Sequence, residues 1–154
     1  MALRPDRVEH YTDLSFFMNE TAERGLIVTH LSGGSGAAMD DSLATVQVAN
    51  ASSEDPAGLL LNDVVNIDLT RQHINYMQDE VQQGGKVLLL RQGTVVTDQI
   101  SGTPVIGEAA HFDSAGFLVT SSENSASVPV GRFLSTLDAD GYAKVDININ
   151  GAAT

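Results

Sequence analysis

Three short stretches and four dispersed histidines are where this chain could do chemistry. Gly33-Gly34-Ser35-Gly36-Ala37 approaches the G-x-S-x-G turn that presents a nucleophilic serine. Position 37 is Ala where that motif needs Gly, and no recognisable helix follows, so the stretch reads as a flexible loop. Gly84-Gly85-Lys86-Val87 brings glycine to lysine as a phosphate loop does. Val87 stands where Ser or Thr must hold magnesium, and no upstream glycine has the required spacing. Asp138-Ala139-Asp140-Gly141 opens like a calcium loop, but the sixth and twelfth positions, Gly and Glu in such loops, are Ala143 and Ile149. A hairpin turn explains it better, with Gly141 free to take positive φ.

His10, His30, His73 and His111 show no pair at helical or strand spacing, and zero cysteines remove disulfides, thiolate metal sites and cysteine nucleophiles together. The acidic pairs Asp40-Asp41, Glu54-Asp55 and Asp79-Glu80 fall in expected loops or on polar faces. Paired catalytic carboxylates would have to converge in a cleft. The expectation is a protein that is not an enzyme and takes no metal or cofactor.

The elements are clearest from Gly84 onward. Ala143, Val145, Ile147 and Ile149 alternate with Lys144, Asp146, Asn148 and Asn150, the period of two that sets one strand face on a core and the other in water. Its expected partner is Val130 to Leu137, and Lys86 to Leu90, Gly93 to Thr97, Thr103 to Ala110 and Phe117 to Ser121 follow the same grammar. Further strands are expected at Gly25 to Leu31, Leu43 to Ala49 and around Val64, Val65, Ile67 and Leu69, with Ala51 to Gly58 a loop. Two helices are expected. One runs from Arg7 to Arg24, capped by Asp6 and Glu9 and striped by Val8, Tyr11, Leu14, Phe17, Met18 and Ala22. The other runs from Arg71 to Gln83, with Ile74, Met77 and Val81 on one face and Gly84-Gly85 ending it. The fold class is therefore mainly β, an antiparallel β-barrel or sandwich of β-tulip-like form, with one or two short α-helices and an extended N-terminal arm. Residues 1–24 would be arm and helix, and 25–154 the β-rich domain.

A chain of 154 residues can bury roughly 68–70% of its unfolded surface. With 42% hydrophobic residues but only 5% aromatic and no Trp, its core must be built of Val, Leu, Ile and Ala. Twenty acids against eight bases give a formal charge of −12, which repels phosphate backbones and argues against direct nucleic-acid binding. Met1 to Pro5 lacks the apolar region of a secretory leader, and no apolar run reaches the roughly 18 residues of a membrane span. Synthesis in a host cytoplasm, away from membranes, is expected.

Taken together, Pro56-Ala57-Gly58-Leu59-Leu60, Asp63-Val64-Val65-Asn66-Ile67-Asp68, Gly85-Lys86-Val87-Leu88-Leu89 and Gly93-Thr94-Val95-Val96-Thr97 resemble the capsid decoration, or cement, proteins of tailed bacteriophages. The resemblance continues through Gly107-Glu108-Ala109-Ala110-His111-Phe112-Asp113, Gly116-Phe117-Leu118, Val130-Gly131-Arg132-Phe133-Leu134 and the terminal strand, covering about the last hundred residues. It implies a head-stabilising virion protein, a homotrimer on the outer capsid surface that clamps neighbouring major capsid subunits. A β-sandwich carbohydrate-binding or fibre-associated module is the alternative, weakened by the lack of Trp platforms. A hydrolase comes third, without legible machinery. Candidate capsid contacts are Leu3, Arg4, Pro5, Arg7 and Val8, because two of the eight bases fall within the first seven residues of an acidic chain. Candidate subunit contacts are Phe16, Phe17, Met18, Leu59, Leu60 and Leu61, an apolar surplus beyond what a sheet of this size needs.

Overall fold

Ala143, Val145 and Ile147 are buried while Lys144, Asp146 and Asn148 are exposed, as their alternation requires. This segment is the last strand in the computed structural model, which describes residues 2–31, 37, 43–50, 55–64, 67–68, 73–74, 79–121 and 127–149. In chain order the strands are β1 (Val8–Asp13), β2 (Phe17–Met18), β3 (Ala22–Glu23), β4 (Ile27–His30), β5 (Thr45–Val48), β6 (Pro56–Asp63) and β7 (Ile67–Asp68). They continue as β8 (His73–Ile74), β9 (Glu80–Val81), β10 (Val87–Thr97), β11 (Ala109–Phe112), β12 (Leu118–Thr120), β13 (Gly131–Phe133) and β14 (Ala143–Asn148).

The main sheet is open and runs β12-β11-β13-β14-β10-β6-β4-β5-β2, with β1 added on β10. It is mixed, because β2 and β5 pair in parallel while its other pairs are antiparallel. Two small ladders, β3-β9 and β7-β8, stand apart from it.

The eleven-residue β10 organises the packing. Leu89 and Leu90 pair with Leu60 and Leu59 of β6 and also with Asp13 and Thr12 of β1; Gln92, Gly93 and Thr94 pair with β14 and again with β1. One edge of β10 therefore carries β1, and the other carries β6 and then β14. Such a shared strand joins the two layers of a sandwich-like fold.

Neighbouring residues on the central strands point into two different cores. Ile27, Leu59, Leu61 and Leu90 join Val95, Phe112, Leu118, Phe133, Val145 and Ile147 in the larger one. Val28, Leu60 and Leu89 join Met18, Val46, Ala57, Val81 and Val87 in the smaller. A strand covered on both faces has no polar side to alternate with, which is why Leu59-Leu60-Leu61 and Leu88-Leu89-Leu90 read as continuous apolar runs.

The expected helices are corrected. Among the described residues there is no helix, and Arg7 to Arg24 instead forms β1, β2 and β3. The stripe that suggested a helix is spent differently: Val8 and Tyr11 stay exposed, while Met18 enters the smaller core with Phe16 and Ala22 packed against it. The Asp13 carboxylate accepts the Ser15 N–H at 2.8 Å, a local turn that competes with helix and separates β1 from β2. Within Arg71 to Gln83, His73 and Ile74 pair with β7, and Glu80 and Val81 pair with β3; residues 71–72 and 75–78 lie outside the described residues. Of the expected strand near Val64, Ile67–Asp68 forms β7 and Val64 lies in a bend, with residues 65, 66 and 69 outside the described residues. The segment expected as the end of a loop, Pro56-Ala57-Gly58, opens β6. Proline is tolerated there as the first residue of a strand.

The extended arm is corrected too. Ala2 and Leu3 are buried at 3% and 1% exposure, and Leu3 bridges to Thr97 while the Arg4 N–H donates to the Val96 carbonyl. The first residues are zipped onto the end of β10.

Candidate functional site

Two of the three stretches with chemical promise are engaged in holding the fold. The Gly84 N–H donates to the Met18 carbonyl at 2.8 Å, Gly85 to Gln82 at 3.2 Å and Val87 to Phe16 at 3.1 Å. A phosphate cradle needs those groups free. Lys86 instead sets its ammonium 5.4 Å from the centre of the Phe17 ring. Asp138 spends its carboxylate on the hairpin: Oδ1 accepts the N–H groups of Asp140 and Tyr142, both at 2.9 Å, and Oδ2 lies 3.2 Å from Arg4. The Tyr142 N–H foremost, and then the other donors, hold its pKa below the usual carboxylate value. Residues 33–36 lie outside the described residues.

His10, His30 and His111 differ in role as well as in sequence position. His111 is buried with Nδ1 2.9 Å from the Ser127 carbonyl oxygen, and His10 is exposed on β1. His30, at the end of β4, meets the Phe16 ring edge-on with centroids 5.3 Å apart. Loss of solvent against that packing, followed by the charge of Arg91, lowers its pKa, while Asp55 and Asp13 pull it up. Among the described residues no group of three or more His, Asp or Glu could hold a metal ion.

Two surface clefts are the other candidate sites. The N-terminal candidates do converge: Leu3, Arg4, Pro5 and Arg7 line a cleft of about 270 Å³, joined by Arg24, which the sequence reading passed over. Its cations are already matched. Arg4 reaches Asp138 at 3.2 Å and Asp140 at 3.3 Å and lies 4.1 Å over the Tyr142 ring; Arg7 meets Glu9 at 2.7 Å; Arg24 meets Asp79 at 3.0 Å. Partial burial would raise the Asp79 pKa, but the Ala2 N–H and the Arg24 guanidinium outweigh it and the pKa ends lower. Of the five candidates, Leu3 is core, whereas Val8 is 53% exposed.

The subunit-contact candidates divide as well. Leu59, Leu60 and Leu61 are fully buried and Met18 is 1% exposed, so their apolar surplus is absorbed by the two cores of one chain. Phe16 and Phe17 are half-buried at the rim.

The sequence reading also missed a surface that its own alternation implied. The outward side chains of β14 lie in register with those of β10, β13 and β1, so Arg132, Asp146, Thr94 and Val8 form one row across the sheet, and Asn148, Gln92 and Tyr11 another. Pro129, Gly131, Arg132, Asp146 and Asn148 line a cleft of about 290 Å³ on it. An exposed sheet face of this kind offers shape, hydrogen bonds and a few charges to a partner surface.

Comparison with known proteins agrees with a binding role. Residues 7–148 match the family model described as structural cement protein (E217 gp24/Pam3 gp6). No curated protein sequence matches the chain. Among solved structures, the crystal structure of the N base of head fiber gp8.5 in bacteriophage phi29 is similar over 96% of this chain and 99% of that one, with a TM-score of 0.51 at 10% identity. At that identity the likeness concerns the fold.

Proposed function

The chain belongs to the phage structural cement protein family, and from that premise we propose that it binds the outer surface of the assembled head and bridges neighbouring major capsid subunits. The observation that carries this reading is the family match over 7–148, which takes in the smaller core, all of the larger core but Leu3 and Ile149, and the whole β1-β10-β14 surface. The chain acts by binding alone, without catalysis or cofactor, and as a homotrimer.

Stabilisation of the shell is then linkage. A ligand that binds only the assembled lattice adds RT ln(1 + [L]/Kd) per site, about 2.7 kcal/mol at a hundredfold excess over Kd. That increment opposes the outward pressure of packaged DNA. A net charge of −12 favours the outside of the shell, where encapsidated phosphates do not repel it.

The test is to mix the purified chain with undecorated, expanded heads and follow saturable binding and the temperature of DNA release. Saturation with a raised release temperature is expected; no binding sinks the reading. Sedimentation of the free and head-released protein decides the trimer. The fold shared with a head-fibre base favours one competing role, a fibre-associated module, for which antibody labelling would mark fibres or tails instead of the head surface.

A further inference from the structure

The charges of this chain are not spread evenly, and the exception lies on the outward face of β13, β14, β10 and β1. At its register-matched positions stand Arg132, Lys144 and Asp146, two cations against one anion, on a chain whose acids outnumber its bases by twenty to eight. Among the described residues, Arg4, Arg7, Arg24 and Arg91 each lie within 4 Å of a carboxylate, whereas Arg132 and Lys144 take part in no such bridge.

The rest of the face is what an interface core is made of. Lys144 is paired with half-buried Val96, Asp146 with Thr94, and Thr94 with Val8, which is 53% exposed; Gln92 is paired with Asn148 and with Tyr11, 44% exposed. Aromatic and aliphatic groups with Arg, and few acids, mark contact patches off from ordinary surface. Two copies meeting through such faces would set Arg132 and Lys144 near the same cations of the other copy, so a carboxylate-bearing partner fits this face better than a second copy.

We propose that this sheet face, centred on Arg132 and Lys144, seats on the capsid, against a strip of the major capsid subunit that presents carboxylates beside aliphatic side chains. The inference rests on the cement reading. It assigns the anchor to the outward sheet face and away from the first residues, whose arginines are already paired within the chain.

The test compares wild type with Arg132→Glu/Lys144→Glu and Arg132→Ala/Lys144→Ala in binding to undecorated, expanded heads at two salt concentrations, with melting curves and sedimentation alongside. Wild-type binding that weakens with salt is expected, with a loss of at least about tenfold in the Glu variant and a smaller loss in the Ala variant. Melting should change little, since all four substitutions are on the solvent side; the Ala variant carries the test if the Glu variant does not fold. Wild-type affinity in a folded variant overturns the assignment. Unchanged head binding with an altered sedimentation coefficient also overturns it, making the face a contact between copies. Failure of the wild type itself to bind overturns the cement reading, and this inference with it.

Discussion

The buried hydroxyl of Thr97 donates a 2.8 Å hydrogen bond to the carbonyl of Ala2, tying the last residue of β10 to the start of the chain. The same oxygen accepts the Gln99 N–H at 3.1 Å, and the Asp98 N–H also points at Ala2. Thr97→Val keeps the shape and removes both roles. A loss of about 1–3 kcal/mol is expected, because buried polar partners are left unsatisfied. Urea unfolding measures it, and a midpoint equal to wild type would show that the clasp contributes nothing.

The two ends of the β13–β14 hairpin should respond differently to an added side chain. Gly141 sits at φ +86° in open space, so Gly141→Val meets only backbone strain, about 1–3 kcal/mol. A Cβ on Gly131 would run into the Asp146 carbonyl oxygen, and the carbonyl carbon and Ile147 Cα would stand within 3.1 Å. Backbone cannot step aside as a flexible side chain can. Gly131→Ala is therefore expected to lower the melting temperature more than Gly141→Val, and the reverse order would mean the pairing of β13 with β14 is drawn wrongly.

Stability should fall in two separate steps on acidification. His30 has a pKa lowered by lost solvation against Phe16, so the unfolded chain, titrating near 6.5, binds its proton first. Its contribution is whole above 6.5 and declines as pH falls toward the folded value. Asp79 has a lowered pKa through its Ala2 and Arg24 partners, so its contribution is whole above about 3.8 and goes only below that. Because His30 is only partly covered and keeps contact with water, the upper step is small. His30→Gln should flatten the melting temperature just below pH 6.5 and leave the acid limb unchanged; an unaltered profile would refute the assignment.

Much of this fold was legible where one face of a strand meets water. The β14 alternation, the Asp138-to-Gly141 turn and the Gly25-to-Leu31 strand all came from local pattern. The central strands were harder, because Leu59 to Leu61 serve two cores and a run without alternation has no face to read. That same run suggested a subunit contact, since the sequence does not reveal a second core. The helix drawn over Arg7 to Arg24 failed because a loose apolar stripe fits several short strands equally well. The Asp13-x-Ser15 turn was the available signal against it. The free cations were visible as letters, but only the register of β13, β14 and β10 shows that Arg132 and Lys144 share a face.

The first residues give the last prediction. A basic, proline-containing start reads as a detachable arm, yet Leu3 packs in the larger core beside residues from β4, β6, β10 and β14, and its carbonyl accepts from Arg24. Leu3→Ala removes a fully buried side chain, a change that costs about 2–5 kcal/mol when the surroundings cannot collapse into the space. Val8, only five positions on, is more than half exposed, so Val8→Ser should stay within about 0.5 kcal/mol of wild type. Deleting residues 2 to 8 combines the loss of Leu3 with that of the Arg4 bridges to Asp138 and Asp140, and should lower the melting temperature at least as far as Leu3→Ala. Denaturant unfolding of the three variants separates clasp from arm. A truncated chain as stable as wild type would mean that the N-terminus is an arm after all, free to reach a partner.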